Sequence, residues 1–281
     1  MSDPAYEIRP FASIAEYHAC IALQEEVWGR GFSERVPLAI LKVAQRLGGL
    51  AAGAFAADGG LVGFVFGMTG VERGRLVHWS DMLAVRPGLR DTGLGTRLKA
   101  YQRDRMRALD VGRVYWTFDP LQSRNAYLNF NKLGIVVREY ARDMYGDTDS
   151  PLHAGIGTDR FVALWPIATR RVADRLEGRG VPRPDEVADV PLALDAAMED
   201  GLPVPVAPRT DLEAPQVLVT IPGNLDALKS LSLAKAVRWR EATRAVLTHY
   251  LDRGWEVREL FRAGEVSRYL LAPVSVDERD P

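Results

Sequence analysis

The sequence contains few of the residues that form disulfides or bind metal ions. Its 281 residues include a single cysteine, Cys20, and four scattered histidines. One cysteine cannot form a disulfide within a chain, and zinc sites need closely spaced Cys and His ligands. We therefore expect a reduced protein without a metal ion.

The sequence also lacks an excess of charge of either sign. Lys and Arg number 36 against 37 Asp and Glu, so the formal net charge is -1. Proteins that bind nucleic acid or anionic membrane surfaces usually carry a strong basic excess. We expect neither partner, and any charged ligand must be bound by a local group of residues.

Long hydrophobic runs are scarce as well. The most apolar segment, residues 47–68, is interrupted at residues 58–60 by Asp-Gly-Gly, which suits a hairpin turn better than a membrane span. The first ten residues lack the basic start and apolar stretch of a secretory signal. These two absences predict a cytoplasmic protein.

The hydrophobic periodicity predicts an α/β protein of the α+β kind, with a mixed, mostly antiparallel central sheet flanked by helices. One segment predicts a parallel strand–helix–strand unit, because a glycine-rich turn joins a strand to a helix that is followed by another strand. Strands are predicted at residues 6–9, 50–57, 61–68, 77–85, 114–118, 135–140 and 160–165, and helices near residues 13–28, from 37, from 93 and at 123–133.

Proline distribution predicts the domain organisation. Seven of the 17 prolines lie between Val181 and Pro215, a density that disfavours long regular elements and suggests a tether over the surface. We expect a main domain at residues 1–168, a linker at 169–215 and a small C-terminal α+β domain at 216–281. The last region has a predicted strand, a helical stretch and a hairpin, and its role is unknown.

The segment with the clearest chemical meaning is residues 83–98, Leu-Ala-Val-Arg-Pro-Gly-Leu-Arg-Asp-Thr-Gly-Leu-Gly-Thr-Arg-Leu. Gly93 and Gly95 would let a ligand approach the backbone closely. The first turn of a helix has unpaired amide groups and a partial positive charge, so a diphosphate could bind there without a lysine cluster. Such a turn can also be purely structural, and the residues alone leave that alternative open.

Leu83-Ala-Val-x-Pro followed by Arg90-x-x-Gly93-x-Gly95, after two helices and a three-stranded meander, resembles the GNAT superfamily of coenzyme A dependent N-acyltransferases. The resemblance covers about the first 165 residues. The segment Trp116-Thr-Phe-Asp-Pro-Leu-Gln-Ser-Arg-Asn-Ala126, together with the C-terminal extension, resembles a long, sparsely characterised subgroup of this superfamily. It implies an enzyme that moves an acetyl or succinyl group from acyl-CoA, its co-substrate, to the amine of a small molecule such as an amino acid, by direct attack in a ternary complex.

The resemblance also implies which residues hold the cofactor. Backbone groups near residues 83–85 would pair with the pantetheine arm, and amides of residues 90–96 would hold the diphosphate. An asparagine on the next helix could bond to the pantetheine amide or to the substrate. The predicted cofactor residues are Leu83, Ala84, Val85, Arg90, Asp91, Thr92, Gly93, Leu94, Gly95, Thr96 and Asn125.

Acyl transfer to an amine needs a base, and Asp81 is the first candidate because it precedes the pantetheine segment on the same strand. An ion pair with an arginine is the equal alternative. His78 is the second candidate, with a core role as its alternative. Many family members carry a tyrosine that protonates the departing thiolate; Phe130 stands at that position here, so Tyr127, one helical turn earlier, is the candidate acid and packing is its alternative.

Four further residues are candidates for binding the acceptor. Trp116 and Asp119 lie at the end of the second parallel strand, although Asp119 before Pro120 also fits a turn. Arg124 and Arg160 could bind a carboxylate, or could form surface ion pairs. The expected partner is a small-molecule amine, and a homodimer is left open.

Two other functions compete with this prediction. A non-catalytic acyl-CoA-binding or regulatory module is suggested by Phe130 and by the unassigned C-terminal region. A mononucleotide-binding α/β domain would use the same glycine turn without the pantetheine arm.

Overall fold

The computed structural model describes residues 6–146 and 155–274; residues 1–5, part of the segment behind the cytoplasmic prediction, lie outside it. Its α-helices are α1 (Ile14–Trp28), α2 (Leu38–Arg46), α3 (Leu94–Arg107), α4 (Ser123–Tyr127), α5 (Arg170–Leu176), α6 (Leu225–Leu231) and α7 (Leu233–Leu251). Its strands are β1 (Glu7–Pro10), β2 (Leu50–Phe55), β3 (Leu61–Glu72), β4 (Arg75–Val85), β5 (Arg113–Phe118), β6 (Val136–Ala141), β7 (Arg160–Pro166), β8 (Leu192–Leu194), β9 (Ala196–Glu199), β10 (Leu202–Pro205), β11 (Val217–Pro222), β12 (Trp255–Ala263) and β13 (Val266–Pro273). Among the described helices, none is long and apolar enough to span a bilayer.

The chain divides into two compact units. The first consists of Met1–Trp116 and Pro166–Leu176, and the second of Thr117–Trp165 and Glu177–Pro281. Strand β5 begins in the first unit and ends in the second. Each unit is described below by itself.

The first unit is built on the sheet order β1-β2-β3-β4-β5. The first four strands pair antiparallel, whereas β4 and β5 pair in parallel and are connected through α3. Phe64 and Phe66 of β3 and Leu23 of α1 are almost fully buried in one hydrophobic cluster. The predicted fold class and the strand–helix–strand unit are confirmed.

Short-range signals in the sequence explain the ends of several elements. The Ser13 hydroxyl accepts a hydrogen bond from the Glu16 amide and caps α1, as its spacing predicts. Asp58 accepts a bond from the Gly60 amide in the hairpin between β2 and β3, at the predicted turn.

The second unit has the sheet order β7-β6-β12-β13-β11-β8 and a separate β9–β10 hairpin. The segment predicted as a proline-rich linker, residues 169–215, contains the short elements α5, β8, β9 and β10, none longer than seven residues. Strand β8 pairs in parallel with β11. Pro203 and Pro205 are tolerated since they lie on a strand of a two-stranded hairpin, where few ladder bonds need their missing N–H.

The structural units also differ from the predicted division at residues 168 and 216. Strand β12 of the C-terminal region pairs with β6 at Val257 and Val137, and α7 forms ion pairs with Asp119 and Asp159, which both precede β7. Residues Thr117–Trp165 therefore belong to the same compact unit as the C-terminal region.

Candidate functional site

The most irregular point of β4 is Asp81. On the neighbouring strand Phe66 faces Met82 and the next residue, Gly67, faces Ser80, so Asp81 is an extra residue with no partner in β3. This is a β-bulge, which bends a strand and changes the direction of its side chains. Residues before and after Asp81 therefore alternate between the faces of the sheet in opposite phase.

The parallel pairing between β4 and β5 is short. It runs over three residue pairs, from Val77–Arg113 to Trp79–Tyr115, and among the described residues of the first unit no pair follows it. The pairing thus stops two residues before the bulge. Backbone groups of β4 from Ser80 onward can consequently pair with an extended ligand on that side.

The turn after β4 supplies a second set of backbone groups. A 3-10 turn, Pro87–Leu89, leads to Gly93, which has a left-handed conformation with φ of 85° and stands at the N-cap of α3. The first intrahelical bond runs from the Arg97 amide to the Gly93 carbonyl at 3.1 Å. The amides of residues 94–96 precede it, and no side chain caps this end.

Three of the other described helices satisfy their first amide groups with a side chain, whereas α2 and α4 do not. Ser13, Asn224 and Ser232 cap α1, α6 and α7. At α3 the space is open instead, because a Cβ atom added to Gly93 or Gly95 would meet no atom within 4 Å. The start of α3 is therefore a cluster of donor groups with room for an anion, with the positive end of the helix dipole behind it.

Side chains of the turn mainly hold its shape. The Thr92 hydroxyl donates to the Leu89 carbonyl at 2.8 Å, and Arg97 donates to the Tyr6 carbonyl at 3.2 Å. Leu94 is 1% exposed, so only its backbone can face a ligand. Arg90 is exposed beside the turn, where its charge can contribute to anion binding.

Asp81 lies at the bulge with its side chain in contact with solvent. Surrounding protein atoms and the carboxylate of Glu34 raise the pKa of Asp81 above its ordinary value, while a hydrogen bond with Trp79 opposes that change. A carboxylate with a raised pKa accepts a proton more readily near neutral pH. Glu34, between α1 and α2, was not identified from the sequence, because no local pattern relates it to Asp81.

His78, the second candidate base, is fully buried. Lys99 donates to the Gln102 side-chain oxygen, so the Gln102 amide nitrogen faces His78 Nε2 at 3.0 Å and donates to it. His78 Nδ1 then carries the hydrogen and donates to Thr69, whose hydroxyl donates to the Gly48 carbonyl. Both ring nitrogens are occupied.

Burial, together with the nearby Lys99, lowers the pKa of His78 to about 3. A neutral, enclosed imidazole cannot take a proton from an acceptor amine. The core role is the one that the structure supports, and His78 is withdrawn as a candidate base.

Lys99 is an unexpected member of the same cluster. Its ammonium nitrogen lies 3.0 Å from the Ser80 hydroxyl and 3.7 Å from the centre of the Trp116 ring, next to the last β4–β5 pair. Burial lowers the pKa of Lys99 well below its ordinary value. The signal in the sequence was its spacing from Gln102 and Met106, which places polar residues on the buried stripe of α3.

Trp116 is only 9% exposed and its ring is in contact with Lys99. The structure therefore places it in the core of the first unit and corrects the prediction that it lines an acceptor pocket. In that unit the structure brings together the predicted cofactor turn, β4 and Asp81.

The other predicted site residues belong to the second unit. Asp119 is 5% exposed; one carboxylate oxygen accepts from the Leu121 amide at 2.8 Å and the other from Arg240 at 2.6 Å. The turn alternative is thus the one that the structure supports, with a buried ion pair added. Asp119 is withdrawn as an acceptor ligand because both of its oxygens are used within the protein.

Tyr127 lies at the end of α4 with its ring 3.9 Å from the guanidinium carbon of Arg262. This contact supports the packing role. Asn125 accepts a hydrogen bond of 3.4 Å from Asn129, so the two share a helix face as predicted, but they bond to each other.

Arg124 is exposed on α4, and Arg160 on β7 lies 5.3 Å from the Tyr145 ring centre. Phe130 is fully buried against the rings of Phe118 and Tyr269. It occupies a hydrophobic core position, and its side chain has no proton to give.

Comparison with known proteins finds no matching family model and no matching curated protein. Among solved structures, the chain is similar to the NatC complex bound to Gag peptide and CoA, with 16% identity, a TM-score of 0.46, and coverage of 57% of this chain and 98% of that one. The ribosomal-protein-S18-alanine N-acetyltransferase from Escherichia coli matches with 16% identity, a TM-score of 0.45, and coverage of 59% and 96%.

A third similar structure is yncA from Salmonella typhimurium with its cofactor acetyl-CoA, at 17% identity, a TM-score of 0.46, and coverage of 59% of this chain and 95% of that one. The three matches have identities of 16–17% and TM-scores of 0.45–0.46. At such identities and TM-scores they carry no argument about what this chain binds, so the proposal below rests on its own residues.

Proposed function

We propose that the first unit binds acyl-CoA and transfers its acyl group to an amine. One observation carries the proposal: a bulge at Asp81, an end to β4–β5 pairing at Trp79, and an uncapped, open helix start at Gly93 occur along one continuous segment of chain. The pantetheine arm would pair with β4 as an added strand. The diphosphate would bind the amides at the start of α3.

In this arrangement the amine nitrogen attacks the thioester carbonyl carbon. The new C–N bond forms, the C–S bond breaks, and coenzyme A leaves as a thiolate. A backbone amide of β4 beside the bulge would stabilise the oxyanion, as preorganised donors do in acyl transfer. The remaining barrier is lowered by holding the two reactants together.

Asp81 would accept the proton that the amine loses, directly or through a water molecule. Its raised pKa suits this role. No tyrosine stands at position 130 to protonate the thiolate, but a thiolate is a good leaving group and can take its proton from solvent.

The acceptor is proposed to be a small amine such as an amino acid, with the amino terminus of a peptide as the second class to be tested. The peptide class is included because the amino terminus of a peptide is an amine of the same chemistry as the amino group of an amino acid. Both classes present a primary amine, so the same assay of coenzyme A release can be run with each. The class that gives the faster release is the preferred acceptor.

The first experiment measures cofactor binding by calorimetry with acetyl-CoA and with adenosine 3′,5′-bisphosphate. Gly95→Asp should abolish binding, because the new carboxylate would enter the diphosphate site. Gly70→Asp is the matched control: Gly70 is exposed on β3 and a Cβ there also meets no atom within 4 Å. Equal affinity of Gly95→Asp and the control would contradict the placement.

The second experiment measures coenzyme A release with panels of small amines and peptides. Asp81→Asn should bind acetyl-CoA normally and release coenzyme A more slowly by about tenfold or more, with the greatest loss below neutral pH, where most of the amine is protonated. Equal rates for both proteins across the pH range would make Asp81 structural. Binding without release from any acceptor would support the non-catalytic alternative.

A further inference from the structure

A small cavity lies in the second unit, beneath the 3-10 turn Pro184–Val187. Its volume is about 100 Å³. Apolar side chains from three segments form much of its wall, with Val187, Leu218 and Phe261 each less than 9% exposed. This size suits a ligand no larger than about six non-hydrogen atoms, since a cavity of about 150 Å³ holds benzene.

Two arginines complete the cavity wall. Arg268 on β13 and Arg262 on β12 both line it. Among the described residues neither forms an ion pair; the guanidinium of Arg262 lies against the Tyr127 ring instead. The acidic residues nearest in sequence to the turn, Asp185 and Glu186, are paired with Arg183. Arg262 neighbours Phe261 on β12, so its side chain points to the opposite face of the sheet, whereas Arg268 faces Phe261. The cavity therefore combines an apolar wall with one cationic group, the guanidinium of Arg268.

Unpaired polar atoms lie beside this cavity. Thr220, Arg268 and Phe261 face one another across β11, β13 and β12, so their side chains share one face of the sheet. In the described structure the Arg268 Nε and the Thr220 hydroxyl are buried and have no hydrogen-bond partner. Buried polar groups are nearly always satisfied in folded proteins, so these atoms point to a missing partner.

We propose that this cavity is a binding site for a short-chain aliphatic carboxylate. Its carboxylate would pair with the guanidinium of Arg268, because the planar guanidinium matches carboxylate geometry. Its alkyl part would contact Val187, Leu218 and Phe261. A strongly hydrated anion such as phosphate would gain nothing from that apolar wall and would lose its hydration. The site is separate from the acyl-CoA proposal and stands without it.

The test is a titration of the full chain with butyrate, followed by the methyl NMR signals of Val187 and Leu218. Saturable shifts of these signals are expected with butyrate. Butyramide has nearly the same shape without the charge. Its affinity should be lower by about tenfold or more, because a charge-assisted bond is lost. Phosphate should leave the signals unchanged.

Arg268→Gln should weaken butyrate binding by a similar factor. Arg209→Gln, an exposed arginine outside the cavity wall, is the matched control with the same change of charge. Unchanged affinity in Arg268→Gln, no shifts with butyrate, or equal binding of butyrate and butyramide would each overturn the proposal. The ligand series on the unaltered protein decides the matter even if the variant does not fold.

Discussion

Acid should destabilise this protein through His78. The ring is fully buried and both of its nitrogens are hydrogen-bonded in the neutral form. Its pKa falls from an ordinary 6.5 to about 3 in the folded protein. Below pH 6.5 the His78 ring is therefore protonated in the unfolded chain but stays neutral in the folded protein. The free energy of unfolding consequently decreases as the pH falls.

The size of the effect follows from the two pKa values. They differ by about 3.5, and each pKa unit is worth about 1.4 kcal/mol, so the full loss approaches about 5 kcal/mol near pH 3. Much of the pH range between these two values is also the range in which carboxylates titrate, so the effect of His78 is best measured above it. Between pH 7 and pH 5 the loss due to His78 alone is about 2 kcal/mol, a large share of the stability of a typical domain.

The assay compares urea unfolding of the natural protein and of His78→Gln at pH 7 and pH 5. The variant is expected to be less stable at pH 7, since it loses packing and hydrogen bonds, but to lose about 2 kcal/mol less on acidification. Other titrating groups, Lys99 included, are common to both proteins and largely cancel. Equal pH dependence, or an NMR titration of the His78 ring with a midpoint near 6.5, would refute the reasoning.

Two further predictions concern stability. Gly67→Ala should destabilise by about 1–3 kcal/mol, because its Cβ would lie 2.3 Å from His78 Nε2 and 2.5 Å from the Trp79 carbonyl oxygen; Gly70→Ala on the same strand meets nothing and should be close to neutral in thermal unfolding. Arg240→Met should cost about 3–5 kcal/mol, since it leaves the buried Asp119 carboxylate without its ion-pair partner. A double-mutant cycle with Asp119→Asn, measured by urea unfolding, should show strong coupling, and additive effects would contradict the buried pair.

The sequence alone determined the features whose cause lies within a few residues. Ser13 caps α1, and the Asp-Gly-Gly turn joins β2 to β3, because each of these residues bonds to backbone close by. Gly93 has a left-handed conformation at the start of α3, where glycine is favoured. The element order of the first unit, with its parallel strand–helix–strand unit, followed from such signals and from hydrophobic periodicity.

The predicted cofactor turn is another feature whose cause lies within a few residues of the chain. A strand, a glycine turn and a helix occupy consecutive residues, so their order and the uncapped helix start can be predicted locally. What the sequence could not predict is that β4 stops pairing with β5 after Trp79 and bulges at Asp81. Register between strands depends on residues that are distant in the chain.

Only the tertiary structure decided the roles of the polar side chains. His78 and Asp119 are residue types that are common in active sites, yet the fold buries both of them. His78 is hydrogen-bonded to Gln102, 24 positions away in the chain, and Asp119 to Arg240, 121 positions away. Likewise, proline density at residues 169–215 predicted a linker, but pairing with β11 makes part of it a strand. Local sequence sets the shape of each turn and helix end, whereas long-range pairing determines which polar groups are buried and which remain available for chemistry.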